Sequence, residues 1–284
     1  MHDKMKQADV IRILCVGDLV GTPGRALFKK HINALKQQYS IDGVIVNGEN
    51  SAADGRGITP AIVEFFKRHG ADMLTSGNHI FAKRDIYPYL SSHKDLLRPI
   101  NFPASTPGTG VATFNVAGTT IGVINVQGRV FMRELVGCPF KAVESAILFL
   151  KPQTNSIIVD MHAETTSEKM GLAYYVDGQV SCVYGTHTHV QTADERVLTG
   201  GTAYITDIGM GGAVNSMIGM KRHSIIHHLI TQMPVKFEVE LEGPYHMHGI
   251  VLTVDKKSGK AVAVERFKVV DEQVDVTDPE LRDK

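Results

Sequence analysis

Residues 11–16 read IRILCV and are followed directly by Gly17 and Asp18. An apolar-rich run of this length, ending in a small and then a polar residue, is typical of a buried strand. Residues 44–46 and 72–75 repeat the pattern, and each run again stops at polar residues. The three runs therefore predict three buried strands, with functional residues at their carboxyl ends.

Helix signals separate these strands. Thr22 and Pro23 are a typical N-cap and first helical residue, and they predict a helix that extends to about residue 38. Thr59 and Pro60 repeat the signal before the third strand. Strand and helix therefore alternate in this first part of the chain, which favours a parallel βαβ arrangement.

The rest of the chain adds strands and helices without an obvious linker. Further strands are predicted at residues 111–116, 120–126, 156–160, 180–184, 202–206, 237–239, 248–254 and 261–269, and helices at residues 140–150 and 221–231. The last three of these strands predict a β meander. Because no linker, repeat or low-complexity tract divides the chain, we expect one two-sheet α/β domain over residues 1–284, with about 1–10 and 275–284 peripheral.

Composition argues against several classes of protein. The 284 residues are 43% hydrophobic and 21% charged, which suits a globular protein with a large core, and the formal net charge is zero. Neutral charge and the lack of a basic, aromatic-interleaved stretch argue against nucleic-acid binding. An odd number of widely spaced cysteines favours a reducing compartment over a disulfide framework. With no signal-like or membrane-spanning apolar stretch, we expect a cytoplasmic protein that does not associate with membranes.

Seven side chains that could bind metal follow the predicted strands. They are Asp18, Glu49, Asn50, Asn78, His162, His187 and His189. Carboxylate, amide and imidazole donors without a thiolate suit iron, manganese or zinc. Donors gathered from several strand ends onto one rim are typical of a two-metal hydrolytic site, in which two ions clamp a phosphate.

Each of these residues also has a purely structural interpretation. Asp18 could cap a turn, Asn78 could adopt a left-handed backbone, and His162 could be a buried histidine with satisfied hydrogen bonds. Glu49 and Asn50 could be solvated loop residues. Their shared position after apolar strands, together with the closely spaced pair His187 and His189, favours metal binding.

His79 adjoins the candidate ligand Asn78 but would point elsewhere along an extended backbone. An imidazole that does not bind metal, beside a phosphate, is suited to protonating a leaving alkoxide, because its ordinary pKa is about 6.5. We therefore predict that His79 is the proton donor. The alternative is that His79 only orients a ligand.

Several short strings give the chain a family resemblance. They are VGDLVG at residues 16–21, NGENSA at 47–52, GNH at 77–79, His162, GTHTH at 185–189 and TDIGM at 206–210. In this order they resemble the calcineurin-like metallophosphoesterase superfamily and, more closely, its YmdB-like family, over essentially the whole chain. Val20 replaces the histidine of the usual D-x-H opening and Glu49 replaces the usual bridging aspartate, and both differences are expected of YmdB-like proteins.

The resemblance implies a four-layer α/β/β/α sandwich with the calcineurin-like metallophosphoesterase fold. It implies that Asp18, Glu49, Asn50 and His189 hold one metal ion, that Glu49, Asn78, His162 and His187 hold a second, and that His79 donates a proton. Iron or manganese, with zinc as a further option, and a homo-oligomeric assembly are implied in the same way. Residues 211–214 lack the Gly-Pro pair usual in the family, so we expect this loop to alter the substrate pocket.

The predicted function is a two-metal phosphodiesterase acting on cyclic nucleotides of the 2′,3′ type, by attack of metal-bound hydroxide with His79 as proton donor. One alternative is a phosphomonoesterase acting on nucleotides or phosphoproteins. Another is a regulatory protein that acts mainly through RNA or protein contacts and retains a vestigial metal site.

Overall fold

The computed structural model describes residues 9–283. Its strands are β1 (Val10–Val16), β2 (Asp18–Leu19), β3 (Gly43–Asn47), β4 (Met73–Thr75), β5 (Val111–Val116), β6 (Thr119–Gln127), β7 (Ser156–His162), β8 (Cys182–Thr186), β9 (Arg196–Val197), β10 (Ala203–Ile205), β11 (Met210–Ala213), β12 (Tyr245–Asp255) and β13 (Ala261–Asp271). Its α-helices are α1 (Gly21–Tyr39), α2 (Pro60–Arg68), α3 (Ile86–Ser92), α4 (Pro139–Leu150), α5 (Thr166–Tyr175) and α6 (Arg222–Thr231).

The strands form two mixed sheets. In the first sheet β1, β3 and β4 run parallel, while β12 pairs antiparallel with β1 on one edge and with β13 on the other. β11 pairs antiparallel with the first residues of β12, next to the part of β12 that pairs with β1, and it pairs parallel with β2. In the second sheet β6, β7, β8 and β10 are parallel, and antiparallel β5 and β9 form its edges.

Three apolar cores separate four layers. One core lies between α1, α2 and α3 and the outer face of the first sheet, and contains Phe28 and Phe66. A second fills the space between the sheets, where Ile13 of β1 and Tyr184 of β8 are both buried. The third packs α4 and α5 against the second sheet. This is the predicted α/β/β/α sandwich, and the fold prediction is confirmed.

The start of α1 differs from the prediction. The helix begins at Gly21 rather than after Thr22, because the carbonyl of Val20 accepts from Gly24 N (3.0 Å) while Val20 N bonds to Gly211 O (2.8 Å). The short strand β2 therefore passes directly into the helix. At α2 the predicted cap is present, since the hydroxyl of Thr59 accepts from the backbone at the third helical position.

The predicted β meander is wrong in its first strand. Residues 237–239 make only an isolated bridge between Val239 and Met220. They belong to a mostly exposed loop and do not extend along a sheet. β12 and β13 form the long hairpin that remains, with a turn that begins at residue 256.

Near the carboxyl end, Leu281 packs into the core beneath α1, and Asp283 accepts from Arg25 Nη1 (2.5 Å) and Ala53 N (2.7 Å). Most of the expected peripheral stretch at residues 1–10 lies outside the described residues. Within residues 9–283 no helix combines the length and apolarity that crossing a bilayer requires.

Candidate metal centre

The two sheets bring their candidate ligands to one edge. Asp18 belongs to β2, Glu49 and Asn50 follow β3, Asn78 follows β4, His162 ends β7, and His187 and His189 follow β8. The first sheet thus supplies the oxygen donors and the second sheet the imidazoles. Carboxyl ends of parallel strands meet there, as the alternation of strands and helices predicts.

One imidazole nitrogen is the centre of a tight cluster. His162 Nε2 lies 3.0 Å from Glu49 Oε1, 3.0 Å from Asn78 Oδ1 and 3.1 Å from His187 Nδ1. The donor atoms of Glu49, His162 and His187 all lie within 4.8 Å of one another. Nitrogen and oxygen atoms converge here at the spacing of ligands around a common ion.

The hydrogen bonds behind His162 fix its tautomer. The hydroxyl of Thr186 donates to Asp160 Oδ1 (2.7 Å), so its oxygen accepts from His162 Nδ1 at 2.9 Å. The proton of His162 therefore lies on Nδ1, and Nε2 presents a lone pair. A lone pair that faces a carboxylate oxygen, an amide oxygen and a second imidazole is stabilised by a cation placed among them.

The other two imidazoles are oriented in the same way. His189 Nδ1 donates to Ile218 O (3.0 Å), which leaves its Nε2 unprotonated, 4.0 Å from Asp18 Oδ1. His187 Nε2 lies 3.1 Å from Glu164 Oε2, so a proton held there leaves Nδ1 facing the cluster. Carboxylates and carbonyls that hold the outer nitrogen of a metal-binding histidine are a regular feature of such sites.

Burial keeps these imidazoles neutral. It lowers the pKa of His162 to about 3, and the charge of Lys169 acts in the same direction. Burial also lowers the pKa of His187 to about 3, aided by His162. The neutral form is the one that binds metal.

The carboxylates carry an excess of buried negative charge. Asp18, Glu49, Asp160 and Asp207 are fully buried, and Lys169 pairs with Asp207 at 2.8 Å. Burial raises the pKa of Asp18, and the charges of the other three carboxylates raise it further. Such a concentration of negative charge away from water is costly unless cations balance it.

Two buried oxygen atoms of the predicted ligand set lack hydrogen-bond partners among the described residues. They are Asp18 Oδ1 and Asn50 Oδ1. The amide nitrogen of Asn50 donates to Gly55 O (3.0 Å), which fixes the side chain and leaves its oxygen free. Buried oxygens are rarely left without partners, and both belong to the predicted ligand set. The residues present therefore fit a pair of bound cations.

The turn that carries the histidine pair is held from below. His187 and His189 have positive φ angles of 96° and 64°. Between them, Thr188 donates from its backbone N (3.2 Å) and its hydroxyl (2.8 Å) to Asp207 Oδ2, which Lys169 also contacts. Strained backbone of this kind persists where its surroundings over-determine it, often at functional sites. Sequence reasoning assigned no role to Lys169 or Asp207, although Asp207 lies in the TDIGM string.

A cavity of ≈ 430 Å³ opens beside the cluster, with Asn78, His79 and His187 in its lining. The backbone N of His79 donates to Glu49 Oε2 (2.9 Å), so His79 contacts the candidate bridging ligand through its backbone while its side chain lines the cavity. Burial lowers the pKa of His79, and the charge of Glu49 opposes the shift. Arg56 also lines the cavity and places a positive charge there.

Residues 211–214 do not shape this cavity as expected. Most of the segment forms β11, and the cavity lining within the described residues comes from other loops. The segment that lacks the Gly-Pro pair therefore lies mostly in a strand of the first sheet and not in the wall of the cavity.

A four-layer sandwich whose two sheets bring oxygen and nitrogen donors to one edge is the metallophosphoesterase fold. The chain belongs to the YmdB-like family, whose model matches residues 14–267, and the predicted resemblance is confirmed. A 2′,3′-cyclic-nucleotide 2′-phosphodiesterase of Bacillus subtilis is 44% identical over 93% of this chain and 99% of its own length.

Two solved structures share the fold at the same level of similarity. One is a hypothetical protein of Thermus thermophilus, with a TM-score of 0.84 and 34% identity, covering 92% of this chain and 100% of its own. The other is a phosphatase of Mycoplasma pneumoniae, with a TM-score of 0.86 and 35% identity, covering 93% of this chain and 95% of its own.

Proposed function

We propose that this protein is a metal-dependent phosphodiesterase that hydrolyses 2′,3′-cyclic nucleotides. The observation that carries the proposal is the convergence of Glu49, Asn78 and His187 on Nε2 of His162, at distances of 3.0–3.1 Å. A cation would be stabilised among these atoms, and a cavity with room for a nucleotide adjoins them. The predicted activity and substrate are supported by the name of the Bacillus subtilis relative.

The ligand set divides around the shared Glu49. Asp18, Glu49, Asn50 and His189 would hold one ion, and Glu49, Asn78, His162 and His187 would hold the other. Two ions held by these residues would supply Lewis-acid activation of the phosphate and of the attacking water. We propose iron or manganese, with zinc as a further option, because the donors are nitrogen and oxygen without sulfur.

The protein's own contribution to bond cleavage is a proton. As an attacking water releases one proton to solvent and its oxygen forms a bond to phosphorus, the bond from phosphorus to the ribose 2′ oxygen breaks. The departing oxygen takes a proton from the protonated imidazole of His79, which is left neutral. The phosphate anion in the cavity favours the charged form of His79, against the effect of burial. Arg56, in the same cavity lining, is placed to attract the anionic substrate.

The test compares leaving groups. His79→Ala should lower kcat for 2′,3′-cyclic AMP by roughly 10²- to 10⁴-fold. The same variant should lose far less with bis(p-nitrophenyl) phosphate, because nitrophenolate leaves without protonation. His93→Ala, at an exposed histidine outside the site, is the control. An equal loss on both substrates would show that His79 orients a ligand and does not donate the proton.

A phosphomonoesterase is the second candidate, favoured by the description of the Mycoplasma pneumoniae structure as a phosphatase. Comparing turnover of 2′,3′-cyclic AMP with turnover of 3′-AMP separates the two activities. Faster release of phosphate from the monoester would replace the phosphodiesterase assignment.

We also propose that copies of the chain associate and that the protein is cytoplasmic. α6 buries none of its residues within the described chain, and Ile226, Leu229 and Ile230 are exposed on it. An apolar surface of this kind favours covering by a second copy. Sedimentation analysis of Leu229→Glu should show dissociation, and an unchanged mass would reject α6 as the contact.

The cytoplasmic prediction is supported by free thiols at Cys15 and Cys182.

A further inference from the structure

The loop of residues 128–135 has a rigid base next to the cavity. The buried carboxylate of Glu168, on α5, accepts from Arg129 N (3.1 and 3.0 Å) and from Val130 N (3.2 Å). At Gly128 a Cβ atom would lie 2.5 Å from Glu168 Oε2, so glycine is required for this contact. Farther along, Glu134 accepts from Gln127 Nε2 (3.0 Å). Hydrogen bonds therefore anchor the loop on both sides of residue 131.

Phe131 lies at the tip of this fixed loop in an unfavourable state. Its φ angle is 62°, in the left-handed region, and the residue is 85% exposed to solvent. A bulky residue is a clear outlier at positive φ, and an exposed ring returns little hydrophobic stabilisation to the fold. Folding therefore does not explain the position of Phe131, whereas binding of a ligand does.

The ring shares a cavity with the reacting end of the site. Phe131 lines the same ≈ 430 Å³ space as Asn78, His79 and His187. A nucleotide whose phosphate lies against these residues would place its base within the same space, which Phe131 also lines. The volume is within the range of ligand sites, which is about 300–1,000 Å³.

We infer that Phe131 is a specificity-determining residue on which the nucleobase of the substrate stacks. The inference rests on the proposed function and adds how the substrate is recognised. A phenyl ring offers a face to any base and makes no base-specific hydrogen bond, so the site accepts all four bases. Purines, with their larger ring systems, bind better than pyrimidines.

The first experiment uses two cyclic diesters that differ only in the presence of a nucleoside. 2′,3′-Cyclic AMP carries a base, and glycerol 1,2-cyclic phosphate presents the same five-membered phosphate ring without one. Stacking of one base on an aromatic side chain corresponds to about 5- to 150-fold in affinity. Phe131→Ala should lower kcat/KM for cyclic AMP by this factor, mainly through KM, and leave the glycerol diester unchanged.

Leu135 provides a matched control in the same loop. It is 97% exposed, and it is absent from the cavity lining, so Leu135→Ala should change neither substrate. Phe131→Trp retains an aromatic face and should preserve turnover of cyclic AMP. A loss on cyclic AMP below twofold in Phe131→Ala, or an equal loss on both diesters, overturns the inference.

A binding measurement decides the inference independently of turnover. The chain contains no tryptophan, so Phe131→Trp and Leu135→Trp each introduce a single tryptophan, whose emission is recorded under excitation that does not excite tyrosine. Titration with 3′-AMP should quench the fluorescence at position 131 and leave that at position 135 unchanged, and glycerol 2-phosphate should quench neither. If wild-type protein cleaves neither diester, the proposed function fails, and this titration alone then supports or rejects stacking.

Discussion

Replacing Thr186 with valine should weaken metal binding without removing any proposed ligand. The Thr186 hydroxyl accepts a hydrogen bond from His162 Nδ1 (2.9 Å) and donates one to Asp160 Oδ1 (2.7 Å). Valine keeps the branched shape but breaks both hydrogen bonds. His162 is then free to carry its proton on Nε2, the nitrogen that faces Glu49 and Asn78.

The expected size follows from the position of the hydroxyl, one contact behind a ligand. Loss of such a partner lowers metal affinity by about 10- to 100-fold, or about 1.4 to 2.8 kcal/mol. A buried acceptor left without its donor costs a further ~1–3 kcal/mol of unfolding free energy. Asp160 keeps its hydrogen bonds from Asn47 and Thr75, so the protein should still fold.

The assay is competition for manganese between the protein and a chromophoric chelator, with urea unfolding of the metal-free form alongside. Thr186→Ser restores the hydroxyl and should bind metal as wild type does. Thr165→Val is the matched control, because that buried hydroxyl has no hydrogen-bond partner within residues 9–283. Wild-type metal affinity in Thr186→Val would refute the assignment of the His162 tautomer.

Three further results are expected. Lys169→Met should cost about 3–5 kcal/mol in urea unfolding because it leaves Asp207 buried and unpaired, whereas Lys29→Met, in a partly exposed ion pair, should cost about 1 kcal/mol or less. Gly185→Ala should prevent formation of the site, since its Cβ would lie 1.8 Å from a backbone carbonyl oxygen. Gly171→Ala should fold normally, because the nearest atom to its Cβ would be 3.6 Å away, and circular dichroism and metal content distinguish the two variants. Removal of metal by a strong chelator should abolish turnover and lower Tm. Metal at a hundred times its Kd should add about 2.7 kcal/mol to the free energy of unfolding, and calorimetry with and without added manganese measures the difference.

The framework of the fold could be predicted because its signals are local. The runs that form β1, β3 and β7 are mostly apolar, which is typical of strands buried on both faces. α3 and α5 gave no such signal. α3 contains Pro88 in a seven-residue helix, and α5 owes its position to packing against the second sheet and α4.

The candidate ligands could be predicted from their positions at strand ends, whereas their supports could not. Lys169 reaches Asp207 from a helix, and Glu164 reaches His187 from a loop, across distances in sequence that no spacing rule covers. The role inferred for Phe131 depends on a backbone angle and on exposure, both of which are properties of the folded chain.

The division of the candidate ligands between the sheets ties chemistry to the spacing of the layers. Asp18 and Glu49 move with one sheet and His162 with the other, so ions bound among them would act as a cross-link between two slabs. Sliding of the slabs by a fraction of an ångström would alter every bond at the ions at once. Substitutions at Ile13 or Tyr184, which are buried between the two sheets, would therefore alter turnover, although neither residue belongs to the candidate site.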